Sequence, residues 1–245
     1  MVHSLHPPAL DMKPAVIIPV YNHGRQVVEV IRQTCKLGLP IFVIDDGSTD
    51  STATNIDTLK GITVLHHHVN SGKGAAILTG LAAAGEKNYD YAITLDGDGQ
   101  HNPENAAELL RAVDDGERCI VIGNRQGMKG GKNVPWTSRF GRKFSNFWVW
   151  AAGGPKVQDS QSGFRLYPVP EALQLGVKAR RYQFEVEVLV KARQQGIKIR
   201  EAPVQVVYQA KGIRISHFRP WLDFWRNSTT FGRLIFSRFF RMFRP

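Results

Sequence analysis

Cysteine is scarce in this 245-residue chain: Cys35 and Cys119 stand far apart and match no metal-ligand spacing. Both sit in apolar-periodic segments and read as buried, reduced thiols, which argues against a disulfide-stapled or zinc-ribbon protein. Long apolar runs are missing too. No uninterrupted stretch approaches the ~18 residues of a membrane-spanning helix. The opening MVHSLHPPALDM has no apolar core of a secretory signal. Acids are in deficit, with 32 Lys+Arg against 21 Asp+Glu for a net charge of +11. That balance points to an anionic partner: nucleic acid, acidic lipid or a phosphorylated substrate. Two nucleotide signatures are absent. GKG at 72–74 and GGK at 130–132 do not complete GxxxxGK[ST], and no GxGxxG follows the first strand. P-loop and dinucleotide sites are therefore excluded as readings.

What is present is an alternation of short apolar strands and helices. Residues 1–13 read as a flexible lead-in. AVIIPV (15–20), IFVI (41–44), ITVLH (62–66), YAITL (91–95) and CIVIG (119–123) read as strands. Helices are predicted over 24–38, after Asp50 or Ser51 as cap, over 75–85 and over 103–115. This is the pattern of βαβ units and a largely parallel sheet covered on both faces. Ligands of such sheets bind beyond the carboxyl ends of the strands. Five polar clusters fall there: Tyr21-Asn22-His23, Asp45-Asp46, Asn70–Gly74, Asp96–Gln100 and Asn124-Arg125. Their shared edge predicts one site.

Within that edge, LDGDGQ (95–100) carries the most chemistry. Asp96 and Asp98 are like charges separated only by Gly97, and buried carboxylates that close repel unless a cation lies between them. Hard Mg²⁺ or Mn²⁺ with a substrate diphosphate suits them; a polar turn with solvated acids is the alternative. His66–His68 could suggest metal, but a strand end with rings alternately facing core and solvent is the favoured reading. Residues 127–135, rich in glycine and lysine, are a lid or a plain surface loop. A basic-aromatic helix follows, then QDSQSGFRLYP (158–168), in which Asp159 is either a base or an ion-pair partner of Arg165. Glu185 and Glu187 on the helix over 182–195 read as solvated or salt-bridged, and 198–209 as a long strand.

Taken together, VIIPVYN, VIDDGSTD, NSGKGAA, LDGDGQHNPE, IGNR, DSQSGFRLY and YQFEVEVLVKA resemble, in order, the motifs of family 2 glycosyltransferases. The likeness is greatest to the dolichyl- and polyprenyl-phosphate sugar transferases and covers about 15–217. It implies the nucleotide-diphospho-sugar transferase fold, Rossmann-like α/β, as a catalytic domain over 14–217, and inverting transfer from a nucleotide-sugar donor. It implies Asp96, Asp98 and Gln100 as ligands of Mg²⁺ or Mn²⁺. The donor would be held by Pro19, Tyr21, His23, Ile44, Asp46, Lys73, Asp96, Gly97, Asp98 and Arg125, with Lys211 and His217 from KGIRISH closing over it. Arg139, Ser145 and Arg165 would meet the acceptor phosphate. Asp98 and Asp159 are the catalytic candidates. His23 stands where the family has Glu, and the glycine of KGIRISH is displaced, which leaves the base and ribose contacts undefined.

A phosphate acceptor needs no general base because it is already anionic at neutral pH. The chain offers several arginines and no unambiguous base, which favours a lipid phosphate. The tail, 218–245, fits this: residues 219–244 hold six arginines against Asp223. At about 100° per residue the arginines share one arc and Trp221, Phe224, Trp225, Phe231, Ile235, Phe239, Met242 and Phe243 the opposite one, with Leu234 the exception. One or two amphipathic helices are expected, lying on an anionic membrane surface or docking their aromatic face on the domain. The expectation is a cytoplasmic enzyme, peripheral on the inner membrane face, with no nucleic-acid partner. A basic nucleic-acid-binding protein and a non-catalytic relative of the family are the rival readings.

Overall fold

Strand β1 (Pro14–Val20) is apolar along its length and buried on both faces. It is an interior strand of a seven-stranded sheet with β2 (Ile41–Asp45), β3 (Thr63–His66), β4 (Tyr91–Thr94), β5 (Cys119–Gln126), β6 (Arg165–Pro168) and β7 (Lys198–Gln205). The computed structural model describes residues 12–114, 116–126, 136–206 and 229–236, with the side chains of Arg25 and 136–140 left aside. The strand order is β3-β2-β1-β4-β6-β5-β7. Every pairing is parallel except those of β6, which runs antiparallel to β4 and β5.

Because side chains alternate along a strand, the sheet carries a separate core on each face. Ile17, Phe42, Ile44, Ala92, Ile120 and Ile122 point to one face and meet α3 (Lys73–Glu86), α6 (Val169–Gln174) and α7 (Phe184–Gln194), with α5 (Trp136–Ala151) beside them. Val16, Ile18, Val43, Ile93 and Val121 point to the other, under α1 (Gly24–Cys35), α2 (Thr52–Asp57) and α4 (Ala106–Arg111). The region expected as one helix over 103–115 splits into a 3₁₀ turn, Pro103–Asn105, and α4; the Asn102 side chain caps the turn by accepting from the Glu104 amide at 3.1 Å. At α2 it is Asp50 whose carboxylate accepts from the Thr52 amide.

Two further expectations change. Residues 165–168 were not read as a strand, yet they form β6, which inserts between β4 and β5. Cys35 is exposed, because α1 buries Val27, Val30, Ile31 and Thr34 and turns the next residue outward. The predicted strand over 198–209 is described only as far as Val206. The lead-in over 1–11, the lid candidate over 127–135 and the tail outside 229–236 lie beyond the described residues. Residues 229–236 are helical and dock rather than stand apart: Phe231 and Leu234 are buried in the α3-side core, and Arg233 pairs with Glu187 at 2.6 Å. Leu234, the exception on the helical wheel, is thus part of the docked face.

Gly80 is where α3 comes closest to the sheet: a Cβ there would lie 2.5 Å from Ile17 Cγ2. Gly80→Val is expected to cost about 2 kcal/mol of stability by overpacking, read as a lower urea midpoint with an unchanged slope.

Candidate active site

The polar clusters gather at the carboxyl edge of the sheet, where β1, β2, β3, β4 and β5 release their loops. Because β6 runs the other way, the loop before it, 158–164, comes to the same edge. The Thr94 hydroxyl fixes that loop by donating to the Gly163 carbonyl at 2.7 Å.

At the centre Lys73, the first residue of α3, places its ammonium 2.6 Å from Asp96 and 2.6 Å from Glu185. Burial works against that charge, but the two carboxylates outweigh it and raise the lysine above its ordinary range. For Asp96, burial acts to raise the pKa, and Lys73 overrides it to hold the carboxyl below the usual range. Asp98 goes the other way: burial, then the Asp96 charge, push it up. Its backbone carbonyl accepts from the Gln26 amide, and its carboxylate accepts from the Gln100 amide at 3.0 Å. Gly163 borders this group so tightly that a Cβ would lie 2.5 Å from Asp96 Oδ2 and against the Lys73 ammonium. His101 stacks on Phe164 at 5.1 Å, and burial holds it neutral, pushed down to about 4.

The loops after β1 and β2 are stapled to one another. Asn22, in the left-handed region at φ 53°, donates from its backbone to the Ser48 hydroxyl and accepts from the Thr49 amide. Tyr21 contributes its carbonyl to the His23 ring at 2.8 Å, and the His23 amide donates to Thr52. Asp46 accepts from the Ser71 and Gly72 amides at 2.9 and 2.7 Å and meets His67 at 2.7 Å, so it shapes the loop that leads into Lys73. His66 lies between Asp45 and Asp57, about 3 Å from each, and His67 turns inward between exposed His66 and His68. Pro19 and Ile44 are buried as register partners; the Ile44 side chain lies in the core under α3, supporting the floor of the site without reaching its surface. Gly97 packs near Val27 and the Pro19 carbonyl.

A second charged group lies beside the first. Arg125, on β5, donates through Nε and Nη2 to Asp159 at 2.6 and 2.9 Å, and Arg142 from α5 approaches the same carboxylate at 3.9 Å. Asp159 is therefore an ion-pair partner, but of Arg125, not of Arg165. Glu201 on β7 accepts from the Gln158 and Asp159 amides and holds this loop from below, its own pKa raised mainly by burial. Ser145 meets the Ser160 hydroxyl at 2.9 Å in the interior. Arg165 corrects the sequence reading most plainly. It is fully buried and donates to the carbonyls of Ser162, Glu185 and Ser160, so its guanidinium ties β6 and α7 together instead of facing an acceptor. Glu185 and Glu187 are salt-bridged as read, to Lys73 and to Lys191 and Arg233. The Arg139 side chain, Lys211 and His217 lie outside the described residues. Sequence reading missed Glu201 and Gln26, which act through backbone groups and carry no motif of their own, and it gave Arg142 no partner.

Among the described residues no three His, Cys, Asp or Glu side chains gather to hold a metal by themselves. The donor set of Asp96, Asp98 and the Gln100 side-chain carbonyl suits a hard divalent ion that takes its remaining ligands from a substrate. Asp96, Asp98 and Glu185 against Lys73 leave an excess of negative charge, and Asp98 is raised first by burial and then by the Asp96 charge.

The sequence profile described as "Glycosyl transferase family 2" matches residues 15–170. The chain belongs to that family. It is a glycosyltransferase, and its sheet is that of the nucleotide-sugar transferases. A UDP-N-acetylglucosamine–dolichyl-phosphate N-acetylglucosaminyltransferase of Methanococcus voltae is 30% identical over 213 residues, 79% of this chain and 85% of that protein. A polyprenol monophosphomannose synthase of Mycolicibacterium smegmatis is 31% identical over 211 residues, 81% and 78% of the two chains. The crystal structure of GalNAc-T7 with UDP, GalNAc and Mn²⁺ shares the fold at a TM-score of 0.54 and 16% identity, over 82% of this chain and 45% of that one. The glycosyltransferase thus spans under half of that structure.

Two outcomes follow from the geometry. With the Asp98 pKa raised in the fold, its ionised form opposes folding at neutral pH; Asp98→Asn should make the ligand-free enzyme more resistant to urea there. The gain should vanish as pH falls below the ordinary carboxylate range, where the wild-type acid is protonated in both states. Arg165→Met leaves buried carbonyls without a donor and should cost about 3 kcal/mol or more in the same assay.

Proposed function

We propose that this glycosyltransferase moves a sugar, with inversion, from a nucleotide-sugar donor to the phosphate of a polyprenyl lipid, at the inner face of a membrane. The observation that carries the reading is the pairing of two charge clusters of opposite sign on one sheet edge. The Asp96/Asp98 side has excess negative charge and suits a cation. The Arg125–Asp159–Arg142 side has excess positive charge and suits an anion. The acceptors named for the two relatives, dolichyl phosphate and a polyprenol, support a lipid on that second side.

Asp96, Asp98 and Gln100 would hold Mg²⁺ or Mn²⁺. Bound there, the ion would neutralise charge on the departing nucleoside diphosphate. Lys73 fixes Asp96 toward the diphosphate and adds a cation of its own. The stapled loops at 21–23 and 45–50 border the nucleoside, and Asp46 holds the loop that positions Lys73. Lys211 and His217 would close over the donor. On the acceptor side Arg125 and Arg142 hold the lipid phosphate with one oxygen toward the sugar. Both Asp159 oxygens accept from Arg125, so Asp159 acts as an anchor for the arginines and not as a base. A phosphate oxygen needs none. Ser145 supports the Asp159 loop through Ser160.

A thermal-shift panel of GDP-, UDP- and other nucleotide sugars identifies the donor. The right one should raise the melting point only with Mg²⁺ or Mn²⁺, by about 2.7 kcal/mol of stability at a hundredfold excess over Kd. With that donor, polyprenyl phosphate should be glycosylated and polyprenol not. Asp98→Asn should lower turnover more than about 100-fold, beyond what lesions outside a coordination shell produce. Equal use of the alcohol, or full activity in chelator, would defeat the proposal.

A further inference from the structure

We propose that the outward face of α5 is a docking surface for an anionic lipid bilayer. The proposal builds on the lipid-phosphate reading above. The face is made by Lys143, Phe147 and Trp150, spaced four and three residues apart and so stacked on one side of the helix. Phe147 is 54% and Trp150 47% exposed, while Ser145, Val149 and Ala152 turn inward. Among the described residues the exposed large aromatics are these two and Phe236, 65% exposed on the helix over 229–236. The two helices share one seam: Phe147 meets Trp148 at 5.4 Å and Trp150 at 6.1 Å, and Trp148 meets Phe231 at 6.0 Å.

Clustered exposed aromatics mark an interaction surface, and the charge around this one selects the partner. Helix α5 contains no acid, and Lys143 is its exposed cation on this face, Arg142 being turned to Asp159. Lys156 lies 5.7 Å over the Trp150 ring, and Trp150, Gly154 and Arg193 line a groove of about 540 Å³ beside it. A patch of Phe and Trp rimmed by cations fits the headgroup zone of an acidic bilayer. It disfavours the two nearest rivals. The rest of the tail brings Arg238, Arg241 and Arg244, and a second copy brings the same cations, so either would set like charge against like.

The placement also serves the acceptor. The Ser160 amide donates to Asn146 at 2.9 Å, Asn146 donates to the Gln158 carbonyl at 2.7 Å, and Ser145 meets Ser160. The helix that lies on the bilayer is thereby fastened to the loop carrying Asp159 and its arginines. A lipid phosphate at headgroup depth would reach them without leaving the membrane surface.

The test is co-sedimentation of the full chain with vesicles of phosphatidylcholine, with and without phosphatidylglycerol. Wild type should bind the acidic vesicles. Phe147→Ser/Trp150→Ser should bind about tenfold more weakly or worse, and Lys143→Glu/Lys156→Glu should lose the preference for phosphatidylglycerol. Both variants should keep the wild-type circular dichroism, melting point and turnover of a water-soluble short-chain prenyl phosphate. A second readout needs no loss of binding: an environment-sensitive dye on Phe147→Cys, in a Cys35→Ser background, should shift to the blue with acidic vesicles, and one on Lys60→Cys should not. The proposal is overturned if wild type ignores the vesicles, if the α5 variants bind like wild type, or if deleting 237–245 alone abolishes binding and the dye at 147 stays silent. Failure to use the short-chain acceptor strikes the lipid-phosphate reading, while the vesicle assay still judges the helix.

Discussion

The ammonium of Lys73, held between Asp96 and Glu185, is the interaction on which the site depends. It joins the start of α3, the end of β4 and the first turn of α7, three elements with no other charged link of this kind among the described residues. Burying charges costs several kcal/mol each unless they are paired closely. Two contacts of 2.6 Å provide that pairing, and Gly163 makes room for it because no side chain fits beside Lys73 and Asp96. The trio still leaves one negative charge in excess, and Asp98 adds another. On the proposed reading, a cation bound there would offset that excess.

A second constraint is the reversed strand β6. Its four residues bring the 158–164 loop to the edge that the parallel strands already supply, and Arg165 locks it there with three carbonyl contacts. The Asp96 and Asp159 clusters are neighbours because Thr94 and Arg165 are register partners across β4 and β6. One misplaced residue in that pairing would turn Arg165 out of the core.

These same residues mark where sequence reading succeeded and where it stopped. The first five strands and their polar ends were legible because the strands are mostly short apolar runs that give way to polar residues. Asp96, Asp98 and Lys73 were found that way. Strand β6 was not, since Arg165-Leu166-Tyr167-Pro168 begins with a charge and ends in proline; an arginine there reads as a surface cation until its carbonyl partners, up to 20 residues distant, are in view. Sequence proximity also misled the Asp159 pairing. Arg165 is six residues away, but Arg125, 34 residues away, lies across the edge. Glu201 left no trace because its partners are main-chain amides, which every residue has.

The electrostatics of the two clusters bear on how an anion could attack next to another anion. A lipid phosphate and a donor diphosphate repel, and in a partly buried site that repulsion is poorly screened. Arg125 and Arg142 alone would repel each other as well, and would need to be held in place before any ligand arrived. Asp159, fully buried, gives them a common counter-charge and leaves the group with one net positive charge. Lys73 has the matching part in the other cluster, holding Asp96 at 2.6 Å. In each half a buried charge of the opposite sign keeps the working groups in place while leaving a net charge for the substrate to satisfy. On the proposed reading, the phosphate and the diphosphate then approach one another only through cations already fixed by the fold.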